Sequence, residues 1–211
     1  DPAVHREYDV TLAYNPESVL LPVARVEGLG WTMLAAGSTT GGSIVAGQGG
    51  VVRLDGSLDP VGAKVLFVSL GSAASSMTGN SRAAQWMILD QLVAEARGRM
   101  SPDSKFAMLN PMGRAALAKF LDNRGLMVVN VNRAADIVQL LRWSKRNNVR
   151  IAVSGGVEAW KVADQLAAAK VPVFVDTLAD LPGDFDQIGA TLENAARLRA
   201  AGVQVAIQSA G

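Results

Sequence analysis

The clearest alternation of apolar and polar positions lies in the second half of the chain. Residues 126–131 form a short β-branched apolar run, followed over 134–146 by Ile137, Leu140 and Leu141 at helical spacing. The pattern then repeats. Residues 150–154 read as a strand, Gly155-Gly156 breaks the chain, and Trp160, Val162, Ala163, Leu166 and Ala167 mark a helix. Residues 171–176 give a third strand, a loop through Pro182 leads to an amphipathic helix from Ile188 through Leu192 to Leu198, and Gly202 closes it before a strand over 203–207. Strands separated by helices make parallel βαβ units, and continuous rather than alternating apolar strands imply cover on both faces. The fold class predicted is α/β.

The first half is less regular. Residues 30–36 and 64–69 read as strands, and the Gly-rich stretch from Gly37 to Gly50 between them reads as a surface loop whose glycines permit tight turns. It lacks the lysine of a P-loop, and no GxGxxG opens a helix, so nucleotide binding is not expected. Ser81 caps a helix running to Arg97, with Trp86, Leu89, Leu92 and Val93 on its apolar face. Pro111 sits at the first turn of another helix. No linker or repeat divides residues 1–211, which are read as one domain.

Composition narrows the chemistry. The 211 residues are 49% hydrophobic and 18% charged with a net charge of +1, which excludes a disordered chain and a basic footprint for nucleic acid or anionic membrane. At 22.1 kDa, a compact monomer would expose roughly 9,000 Å². No apolar run reaches the ~18 residues of a spanning helix. There is no cysteine, and His5 is the one histidine. A Ser-His-Asp triad would need that residue, and no G-x-S-x-G elbow accompanies it. Asp176, Asp180, Asp184 and Asp186 could chelate a hard cation but lack EF-hand spacing, and Asp184 reads as a helix N-cap. Glu158 and Asp164 read as a solvated helix face, and the four tryptophans as core or interface fillers.

Several segments in order resemble the amidohydrolase superfamily, in particular its imidazolonepropionase- and prolidase-like branch. They are Asn15-Pro16-Glu17-Ser18 with residues 21–28, residues 42–49 with Leu54-Asp55-Gly56, and the later strand segments at 128–137, 153–160, 171–175 and 201–210. The resemblance implies a (β/α)8 TIM-barrel-like domain holding zinc or another divalent metal that activates water at the C-terminal strand ends. The chain would begin after the first barrel strand, leaving the barrel incomplete at the first strand and in its C-terminal region. In the family, ligands come from an H-x-H on the first strand, a lysine on the fourth, histidines on the fifth and sixth, and an aspartate on the eighth.

Here the ligand positions carry Asn130 or Asn132, then Gly155, then Ala210; Lys105 matches the fourth-strand lysine by position only, and no H-x-H occurs. Asn is a weak neutral ligand, and Gly and Ala offer no side-chain donor. The chain is therefore expected to lack the metal centre, to bind no cofactor, and to act as a structural or binding subunit. A rebuilt hydrolase site would draw on Asn130, Asn132, Ser154 and Asp176, and the same groups could hold a small ligand. A homo-oligomer or partner subunit is expected from the open sheet edge. The resemblance makes a periplasmic or secreted location the expectation.

Overall fold

In a computed structural model the described residues are 7–37, 42–176 and 182–208. They form a seven-stranded sheet in the order β1 to β7, curled into a half-barrel and mostly parallel. The strands are β1 (Trp31–Leu34), β2 (Val45–Arg53), β3 (Val61–Ser69), β4 (Leu126–Val131), β5 (Arg150–Gly155), β6 (Val173–Asp176) and β7 (Val205–Gln208). From β3 to β7 every pairing is parallel, as the apolar rhythm predicts. The first three strands depart from it, because β1–β2 and β2–β3 pair antiparallel. β1 and β7 are the edges of the sheet.

The reading of the Gly-rich stretch as a surface loop is corrected. Its second part is the nine-residue buried strand β2, while residues 38–41 lie outside the described set. The glycines serve close approach: a side chain at Gly49 would strike the Leu34 carbonyl oxygen and the Phe67 ring. Gly47, at φ +134°, lets the Tyr8 carbonyl approach, and Gln48 N donates to that oxygen at 2.6 Å.

The helices are α1 (Leu20–Val26), α2 (Arg82–Ala96), α3 (Pro111–Ala118), α4 (Ala134–Asn147), α5 (Ala163–Ala168) and α6 (Asn194–Ala200). α2 to α6 cover one face of the sheet. Leu89, Leu92, Leu117, Ile137, Leu140, Trp143, Leu166 and Leu198 pack there against Leu66, Val68, Met127, Val129, Ile151, Val153 and Val173. The opposite, concave face carries a thin apolar floor of Phe67, Val128 and Ala152 with Ala36 and Ala46. Ser81 and Asn110 cap α2 and α3 by accepting from Ala84 N and Gly113 N.

The helix expected from Ile188 is corrected too. A 3₁₀ turn at Phe185–Gln187, capped by Asp184, precedes α6, and Ile188 and Leu192 are exposed. Gly189 explains the delay. Its N–H donates to Glu158 Oε1 at 2.9 Å, and a side chain there would collide with Lys161. Of the tryptophans, Trp143 is buried and Trp31 is exposed.

The folded chain exposes 11408 Å², well above the roughly 9,000 Å² of a compact monomer of this mass. No helix among the described residues is long and apolar enough to cross a membrane.

Candidate functional site

Parallel strands bring their C-terminal ends to one side, and in α/β sheets that side carries the sites. On the concave face the period of two puts Val65, Phe67 and Ser69 in line on β3, Leu126, Val128 and Asn130 on β4, and Ala152 and Ser154 on β5. Register then sets polar tips side by side: Ser69 opposite Asn130, Asn130 opposite Ser154, and Asp176 opposite Gln208. Gln208 Nε2 donates to Ser154 Oγ at 3.0 Å. Asn130 is exposed, whereas Ser154 and Asp176 are half-buried.

Asn132 lies just beyond β4 and is held by its backbone, whose carbonyl accepts from Glu158 N at 2.9 Å. Its Oδ1 is buried and finds no hydrogen-bond partner among the described residues, a costly state for an amide oxygen. Gly155 makes that placement possible. At φ +82° a Cβ there would lie 2.5 Å from Asn132 Oδ1 and 3.6 Å from Asn130 Oδ1. Positions 130, 132 and 155 therefore converge, and the amide of Asn132 fills the space that a side chain at 155 would need.

The donors are mostly neutral: Ser69, Asn130, Asn132, Ser154 and Gln208, with Asp176 as the acid. A divalent centre of the amidohydrolase kind draws on imidazole and carboxylate ligands. A histidine at 155 would collide with Asn132, and among the described residues no group of three or more His, Asp or Glu could hold a metal ion. The tips do not fit the group. His5, Asp180 and Ala210 lie outside the described residues. Lys105 is not on any strand: it sits exposed in the α2–α3 connection, over the Phe106 ring.

A second, charged cluster borders the same end, and spacing along the chain gave no sign of it. Arg82, at the start of α2, forms ion pairs with Asp136 in the first turn of α4 and with Asp186 after β6. Asp186 Oδ2 also accepts from Ser72 N at 2.8 Å, and Asp184 Oδ2 from Ser72 Oγ at 2.6 Å. Asp184 and Asp186 are thus structural, turned to Ser72 and Arg82, while Asp180 lies outside the described residues. Burial raises Asp136 above its ordinary value, aided by the Asp186 carboxylate and opposed by Arg82. Gly71, at φ +72°, leaves room for this network, since a Cβ would sit 2.8 Å from Asp186 Oδ2.

Two further buried carboxylates are also structural. The expected solvated face holds for exposed Asp164 but not for Glu158, which is 7% exposed. Glu158 accepts from Ala134 N at 3.0 Å, Gly189 N at 2.9 Å and Lys161 Nζ at 2.6 Å. Burial works to raise it, but these donors and the Lys161 charge hold it below its ordinary value. Glu95 likewise is buried between α2 and α3, where the Met108 and Leu109 N–H groups, Gln91 and Arg114 outweigh burial.

No protein family and no curated protein matches this chain. A crystal structure of an amidohydrolase from Thermotoga maritima superimposes with a TM-score of 0.81 at 21% identity. The match covers 99% of this chain and 57% of that one, so the chain spans little more than half that protein's length. The shared feature is the fold.

Proposed function

We propose that this chain is an amidohydrolase-type barrel segment, of the imidazolonepropionase- and prolidase-like branch, that works without the divalent centre as a binding or structural body. One observation carries the reading. Asn130, Asn132 and Gly155 meet at the strand tips where the family resemblance places metal ligands, and the Asn132 amide packs into the space above Gly155. A neutral set cannot hold zinc or activate its water at useful affinity. The test is thermal melting with zinc, manganese or a chelator. A melting temperature unchanged by all three is expected, and a large zinc-dependent rise would overturn the reading.

The partnerless Asn132 Oδ1 favours a second reading, in which the same tips hold a small neutral molecule rich in N–H donors. Asn132 would supply an acceptor, Ser154 and Gln208 hydroxyl and amide groups, and Phe174 an apolar wall beside them. Melting in a panel of small amides and ureas tests it. A saturable rise that Asn132→Ala abolishes supports the binding reading, and no rise with any of them overturns it.

A further inference from the structure

The N-terminal quarter carries a contiguous set of uncovered apolar side chains. Helix α1 has the sequence Leu-Leu-Pro-Val-Ala-Arg-Val and buries none of its residues. Val19, Leu20, Val23, Val26, Leu29 and Trp31 are between 54% and 86% exposed, on α1, just before and after it, and at the start of the edge strand. Isolated apolar side chains on a surface need no explanation, but a contiguous set of this size does.

From these features we infer that the α1–β1 face is the interface of a homodimer, its occupant a second copy of this chain. Two observations argue for a copy of itself. The first is area. The six residues leave on the order of 700 Å² exposed, close to the ~800 Å² per partner that a standard interface buries. The second is self-complementarity, since a two-fold interface must carry both a projection and its recess on one patch. Val26, Leu29 and Trp31 project, and beside them a cleft of about 380 Å³ opens between α1 and β1, lined by Leu20, Leu21, Thr32, Leu34 and Leu54.

The edge itself is unguarded. Strand β1 reads Trp-Thr-Met-Leu, without the lysine, proline or inward charge that normally blunts an edge. An antiparallel approach of two β1 strands across the two-fold axis would satisfy both edges and bring the α1 helices together. The interface is independent of how the strand tips are used.

Light scattering on the eluting 211-residue chain tests this directly. The expected mass is twice the 22.1 kDa of one chain, falling toward one chain on dilution. Val23→Asp with Val26→Asp should give the monomer at every concentration with an unchanged circular dichroism spectrum, because α1 contributes nothing to the core. As the chain has no cysteine, Val23→Cys introduces a single thiol, and mild oxidation should yield a covalent dimer. A wild-type monomer throughout, with or without dye binding at this face, would overturn the inference and leave the surface to a different polypeptide. A dimer unaffected by the double aspartate substitution would overturn it equally.

Discussion

Two polar clusters lie at the C-terminal end of the same parallel strands, and they differ in what occupies them. In the Arg82–Asp136–Asp186 network each charge has a counter-charge, and a backbone N–H completes Asp186. Among the strand tips, by contrast, the groups are mostly neutral, Asn130 is open to solvent, and Asn132 Oδ1 has no partner among the described residues. The charged cluster joins three strand-to-helix connections, whereas the neutral one joins little. Buried polar groups that hold a fold together are satisfied within it, and those left incomplete are where a ligand finds a partner.

Substitutions should separate the two clusters by size of effect. Arg82→Ala strands two buried carboxylates, so a loss of about 3–5 kcal/mol is expected in urea unfolding. A loss below about 1 kcal/mol would show that water already screens the network. Glu158→Ala removes the acceptor of Ala134 N, Gly189 N and Lys161, and should cost about 2–3 kcal/mol. Gly155→Ala forces a methyl onto Asn132 Oδ1 at a positive φ, with an expected cost of about 1–3 kcal/mol.

Asp136 adds a pH-dependent test. Its raised value means that the folded state favours the protonated acid. The stability this gives is complete at low pH and is lost as pH rises through the carboxylate range. Asp136→Asn, which keeps an oxygen for Arg82, should therefore melt above the wild type at neutral pH, with the advantage vanishing in acid. An advantage that grows in acid would contradict the assignment. At the small end, Ser154→Ala, which removes the acceptor of Gln208 Nε2, should cost about 0.5–1.5 kcal/mol, and Asn130→Ala no more than about 0.5 kcal/mol.

Much of the parallel half was legible in the sequence, for a local reason. The runs at β4, β5 and β6 are short, apolar and β-branched, and the faces of α2 and α4 recur at helical spacing, so neighbouring residues carry the signal. Antiparallel β2 was hidden because its glycines answer to Tyr8, Leu34 and Phe67, which are distant in sequence. The late start of α6 depends on Glu158 and Lys161 in the same way. At the site, the alternation of two residues was enough to align Asn130 with the concave face. Ser69 was overlooked, since only strand register sets it beside Asn130. Arg82 was overlooked because its partners stand 54 and 104 residues away.

The central claim is that the converging tips of β4 and β5 cannot hold a divalent ion. Elemental analysis of the chain, purified without chelator from cells supplied with zinc, manganese and iron, measures this directly. The account predicts far less than one equivalent of each metal, unchanged by Asn130→Ala. One tightly retained equivalent that disappears in Asn130→Ala would contradict it.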